Sequence, residues 1–105
     1  MGKIGVIIKE PGRVPRHVNI SSTLENLQKT VGGYIETVTL CSDIVVICDE
    51  EGRIKGKPHC CNIAGVDFCG TVILAGVDGD EFADVPCAFA DFKRLFPQLW
   101  EEVRK

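Results

Sequence analysis

The chain has no apolar run near the roughly 18 residues needed to cross a bilayer, so no membrane-spanning helix is predicted. Its start, MGKIGVIIKEPG, carries an apolar stretch too short for a signal peptide, with no small-residue cleavage site after it. Gly2 recurs in myristoylation signals, but Val6 stands where such a signal wants Ser or Thr. A cytoplasmic location is therefore expected. There is also no basic excess: the net charge is −3, which argues against a general nucleic-acid binder. It is equally far from the charge density of a DNA mimic. Internal repeats and low-complexity linkers are missing too, and 105 residues make one domain, 1–105.

What is present is ordinary globular composition, 45% hydrophobic and 26% charged. A core this small favours self-association, so a homo-oligomer is expected. Cysteine is the exception, with six: Cys41, Cys48, Cys60, Cys61, Cys69 and Cys87. Without an export signal they are expected to stay reduced.

KIGVIIK alternates Ile4, Val6 and Ile8 as a strand. After the EPGR turn, VPRHVNI places Val14, Val18 and Ile20 on one face and completes a hairpin; Pro15 implies that this second strand has a free edge or starts late. In SSTLENLQKTV, Leu24, Leu27 and Val31 form a helical stripe, with Ser22 as the expected cap and Glu25 reaching back to it. YIETVTL and DIVVICD read as strands joined at CSD; the second is apolar enough to be central. EEGRIKGKPHCC reads as a polar excursion, and CGTVILAG as a further buried strand ending at VDGDE. Ala88, Phe89, Phe92, Leu95 and Phe96 match helical spacing, with Pro97 kinking the segment or opening a second helix that carries Leu99, Trp100 and Val103. The order β-β-α-β-β-loop-β-α predicts an α+β domain with a mostly antiparallel sheet of about five strands.

Gly32 and Gly33 fall between helix and strand. Gly32 is placed as a left-handed helix cap and Gly33 as the hinge into Tyr34. A phosphate-binding loop has the opposite polarity, strand into helix, so that reading is excluded.

Each candidate site has a competing structural reading. His59, Cys60, Cys61 and Cys69 could be metal ligands, but no C-x₂-C pair exists, and adjacent cysteines on an extended segment point apart. Buried thiols are the better reading, with no metal and no cofactor expected. A thiol enzyme would need an activated cysteine, Cys87 at a helix start or Cys60 beside His59, and neither has an evident second participant. Arg53, Lys55, Lys57 and His59 occupy every second position; on an extended segment they would share one face and could hold an anionic, nucleotide-like ligand. The competing reading is a solvated edge strand guarded by its lysines. The aromatic C-terminal helix reads as docked on the sheet, with a partner groove as the alternative.

TLENLQKTVGGYIETVTL followed by DIVVICDEEGRIKGKP resembles, over residues 3 to 58, an uncharacterised family of small proteins from phages, plasmids and other mobile elements. Members of that family read TLE-LQ-x-VGGYIE and then NEEG and a Pro-x-Asn-Arg segment. Here Asp49 replaces the Asn, and PHCC replaces the last segment, with His59 nearest to the missing Arg. The family has no settled activity, so the resemblance implies a mobile-element context and no catalytic residues. Taken together, the expectation is a small non-enzymatic binding protein that engages a host protein or a small anionic ligand.

Overall fold

The computed structural model describes residues 3–86 and 89–101. Eight strands and three short helices follow in the order β1 (Lys3–Lys9), β2 (Arg16–Ser21), α1 (Leu24–Val31), β3 (Ile35–Cys41), β4 (Ile44–Asp49), β5 (His59–Ile63), β6 (Val66–Cys69), β7 (Val72–Asp78), β8 (Glu81–Ala83), α2 (Phe89–Leu95) and α3 (Gln98–Glu101). The α+β class and the antiparallel sheet agree with the sequence reading. The five strands expected from the sequence form the path β2-β1-β7-β4-β3, and β5, β6 and β8 are additional to it.

Six strands form one antiparallel sheet in the order β2-β1-β7-β4-β3, with β8 sharing a side of β7 with β1. Strand alternation divides its side chains between two cores. Val6, Ile8, Val45, Ile47, Ile73 and Ala75 face α1, which contributes Leu27 and Val31. Ile7, Ile44, Val46, Cys48, Val72 and Leu74 face the other way, against the β5–β6 hairpin and the C-terminal helices. Being covered on both faces is what makes β4 buried along its whole length. Phe92 and Leu99 are fully buried, so these two aromatic-segment positions dock inward as expected, and Pro97 opens α3. Cys87, Ala88 and Val103 lie outside the described residues.

β2 starts directly after Pro15 and is an edge strand, as the proline implied. Val14 falls before it and is exposed. The β5–β6 hairpin closes through Ala64 and Gly65, both at positive φ (52° and 82°). Such a two-residue turn matches the twist of the strands it joins. Ala64 gives none of the usual Asn-Gly signal, which is why the segment reads as loop.

The cap of α1 requires a correction. Thr23, not Ser22, is the N-cap: its backbone is extended and its Oγ1 accepts the Asn26 amide at 3.3 Å. Asn26 occupies the third helical position and its Nδ2 donates to the Ser21 carbonyl at 3.0 Å, so Glu25 does not make the expected capping box. Glu25 instead places its charge in the first turn, where the helix dipole favours it. Thr23→Ala is expected to cost about 1 kcal/mol and Ser22→Ala under about 0.5 kcal/mol. Urea midpoints of the two variants would check this, and a reversed order would return the cap to Ser22.

Candidate functional site

At the other end of α1, Gly32 has φ 81° and closes the helix through its N–H to Gln28 O at 2.8 Å. The Gly33 N–H reaches the same carbonyl at 3.1 Å. That leaves the Val31 and Gly32 carbonyls facing outward at the negative end of the helix dipole. Beside them ends β4, with Asp49 as its last residue.

From Asp49 the chain curls instead of extending. Gly52 N–H donates to Asp49 O, Lys55 N–H to Glu51 O, Gly56 N–H to Arg53 O and Lys57 N–H to Gly52 O, at 2.9 to 3.2 Å. The alternation of Arg53, Lys55, Lys57 and His59 therefore does not lie on one extended face; among them only His59 belongs to a strand. Gly56, at φ 73°, helps the chain to coil.

The coil brings two of the four cations back onto the helix end. Lys57 Nζ lies 2.7 Å from Asp49 Oδ2 and donates to Val31 O at 2.8 Å and Gly32 O at 3.3 Å. Lys55 Nζ lies 2.9 Å from the same Oδ2 and 3.4 Å from Gly32 O. Asp49 Oδ1 accepts the Glu51 amide at 2.9 Å, and its side chain is only 1% exposed. Burial alone would raise the Asp49 carboxyl; hydrogen bonds from the Lys57 ammonium, the Glu51 amide and the Lys55 ammonium outweigh it and hold it at about 2. Lys55 is in turn held above its ordinary value, first by its hydrogen bond to Asp49.

This cluster explains Gly32 and Gly33 beyond helix termination. A Cβ on Gly33 would lie 2.6 Å from both Asp49 Oδ2 and Lys55 Nζ, and one on Gly32 would lie 2.8 Å from Lys57 Nζ. Gly70 does the same for the Lys57 stem, with Cδ at 2.7 Å. Bare backbone at these points lets two lysines reach the carbonyls.

Arg53 and His59 go elsewhere. Arg53 is exposed and borders a cavity of about 120 Å³ whose carboxylates are Glu36, Asp49, Glu50 and Asp67. His59 Nε2 is 3.6 Å from Asp67 Oδ1, and Asn62 Nδ2 donates to that oxygen at 2.8 Å. The Asp67 carboxyl is lowered, first by the Asn62 hydrogen bond and then, against the effect of burial, by His59 and Arg53.

The thiols are arranged differently from the sequence expectation in one respect. Cys60 and Cys61 do not point apart: a bulge between His59 and Cys61 turns both into the same core, at 1% and 0% exposure. Cys60 Sγ donates to Lys9 O at 3.4 Å inside that core, out of reach of a substrate. Burial, then the charges of Glu36 and Asp49, push the Cys48 thiol up to about 11, away from the reactive thiolate. Cys41, Cys48 and Cys69 are free thiols. Among the described residues no three His, Cys, Asp or Glu side chains are grouped to hold a metal ion, and no helix is long and apolar enough to cross a membrane.

Asp49 is the member of this cluster that cation spacing does not point to, although it carries a signal as the acid closing an otherwise apolar strand.

The architecture is that of a small α+β domain with an antiparallel sheet covered on both faces. The chain belongs to the family described as domain of unknown function DUF3846, whose match spans residues 3–97 and so includes the α1–β3 junction and the whole Asp49 cluster. Comparison with curated proteins and with solved structures finds no match.

Proposed function

We propose that this domain is a non-enzymatic binding module and that the turn at residues 50–56 is its recognition element. The observation that carries this reading is Ile54, 84% exposed on a turn whose base is clamped by Asp49, Lys55 and Lys57. A single exposed aliphatic residue is unremarkable on any surface. Here it stands on a hydrogen-bonded turn, with Tyr34, 66% exposed, at its root, where Glu50 N–H donates to Tyr34 O at 3.0 Å. Arg53 completes the set, and Tyr and Arg are the residue types that dominate binding energy at interfaces. A turn already ordered loses little entropy on docking. The partner that fits is a protein with an apolar pocket for Ile54 and polar groups around it for Glu50, Glu51 and Arg53.

An anionic small ligand is the weaker branch of the same idea. Lys55 and Lys57 are already engaged by Asp49 and the helix-end carbonyls, and Arg53 borders a cavity whose four carboxylates would repel an anion. The resemblance of the sequence to proteins of phages and other mobile elements makes a cytoplasmic host protein the natural partner class.

The test is to capture partners from a bacterial extract on the immobilised full chain, identify them, and measure the purified pair. Ile54→Asp and Tyr34→Ala should each weaken binding about tenfold or more, roughly 1.4 kcal/mol, while the melting temperature stays at the wild-type value. Unchanged affinity in both variants would defeat the reading. A thermal shift of several degrees with a nucleotide panel would favour the anion branch instead.

A further inference from the structure

We infer that β3 is the self-association edge of this protein, pairing antiparallel with β3 of a second copy across a two-fold axis at Thr37. This does not depend on the role proposed for Ile54. Among the described residues β3 ends the sheet, with β4 on one side and no strand on the other. The Glu50 N–H to Tyr34 O bond, with the pairing Ile35↔Asp49 to Thr39↔Val45, sets which backbone groups face which way. Tyr34, Glu36 and Val38 direct their N–H and C=O towards β4. Ile35, Thr37 and Thr39 direct theirs to the open edge.

The two edges of the sheet are built differently. β2 is entered through Pro15 and carries Arg16, His17 and Asn19, the proline and charge that discourage strand addition. β3 is IETVTLC, with no proline, no lysine and one charge. Pairing about Thr37 places Thr37 opposite Thr37, Ile35 opposite Thr39, and Glu36 opposite Val38. The single charge therefore meets an apolar side chain of the other copy and not its own counterpart, while β-branched residues meet across the strands. Three residue pairs exchanging two bonds each give about six new backbone hydrogen bonds.

The register shift between Thr39 and Cys41 ends the pairable stretch at Thr39. A two-fold contact consumes both β3 edges, and the guarded β2 edges do not propagate it. The assembly closes at two chains and does not grow into a fibre.

Sedimentation equilibrium of the full chain should give twice 11.5 kDa. In the dimer the amides of Ile35, Thr37 and Thr39 should be protected from hydrogen exchange, and dilution should remove that protection. Thr37→Pro deletes an outward N–H without touching the β4 ladder, a position where an edge strand tolerates proline. Thr37→Lys places two ammonium groups at the axis and leaves backbone geometry unchanged. Each should weaken the dimer about tenfold or more, while Asn19→Lys on β2 and Ile54→Asp should leave it intact. A monomer at concentrations up to about 100 µM, or a dimer unaffected by both Thr37 variants, would overturn the assignment.

Discussion

Replacing Asp49 by alanine is expected to cost this domain about 3 kcal/mol, because it strips the shared counter-ion from two lysines at once. Among the described residues the carboxylate is the one acid that both Lys55 and Lys57 touch, and its side chain is 1% exposed. The two lysines are 39% and 23% exposed, so they regain some hydration, which keeps the cost at the lower end for a broken buried pair. The loss also propagates: Glu51 loses the acceptor for its amide, and the 50–56 turn loses its clamp. Guanidinium unfolding would measure it, and a loss under about 1 kcal/mol would mean that the cluster is peripheral. Lys57→Met should be more damaging than Lys55→Met, since Lys57 is the more buried and also holds Val31 O at 2.8 Å.

The same carboxylate sets an acid dependence. In the folded state it is held at about 2, below its ordinary 3.8, so the unfolded chain takes up the proton first as the medium is acidified. The contribution of Asp49 is fully present above about pH 4 and is lost as pH falls towards 2. In Asp49→Asn that part of the pH–stability slope should vanish, while the slope above pH 5 stays unchanged. If the variant and the wild type lose stability in parallel below pH 4, the ion cluster does not control acid unfolding.

The second large effect is expected at Gly76, where alanine should cost about 3 kcal/mol and lower the melting temperature by more than about 10 °C. Gly76 sits in β7 between Ile44 of β4 and Ala83 of β8. A Cβ there would lie far inside van der Waals contact with the Asp84 carbonyl oxygen, and 3.0 Å from its carbon. That obstacle is backbone and cannot swing away as a side chain would. It is also fixed from the far side: Asp84 Oδ1 accepts the Gly5 amide at 2.6 Å, and Val85 N–H donates to Gly5 O at 2.9 Å. Relief would mean pulling the chain after β8 off β1. Gly79→Ala is the control: its φ of 63° disfavours a side chain, but nothing stands within 4 Å. It should lose only about 1 kcal/mol. Equal melting temperatures for the two alanine variants would remove the steric argument.

Hydrophobic periodicity carried most of the architecture. The alternation in KIGVIIK and the unbroken apolar run before Asp49 match the observed elements, because burial of one or both faces leaves a local pattern. Of the helical stripe Leu24, Leu27 and Val31, the last two are buried, while Leu24 in the first turn is 57% exposed. The β5–β6 hairpin left none: its strands are short, its bulge breaks the alternation at Cys60, and Ala64 disguises the turn. The cap of α1 slipped by one residue for a similar reason. Ser22 and Thr23 are both capping residues, and only the backbone path decides which oxygen faces Asn26.

The candidate site was less legible. Spacing groups four cations in one segment, but their directions depend on a coil held by bonds within 49–57 and on a helix end some 25 positions earlier in the chain. Gly32 and Gly33 were readable as the end of a helix, since termination is a local matter of φ and of orphan carbonyls. Their second role, admitting Lys55, Lys57 and Asp49 to those carbonyls, involves atoms the chain brings together only when β4 packs beside α1. By itself the sequence determined the class of fold, the helix, the buried strands and the interruption at VGG, all of which follow from propensity and periodic burial. Tertiary structure alone decided that two lysines face inward on one carboxylate, that Ile54 faces outward, and that β3 is left with an open edge. Side-chain direction and edge position depend on long-range pairing, which no local pattern encodes.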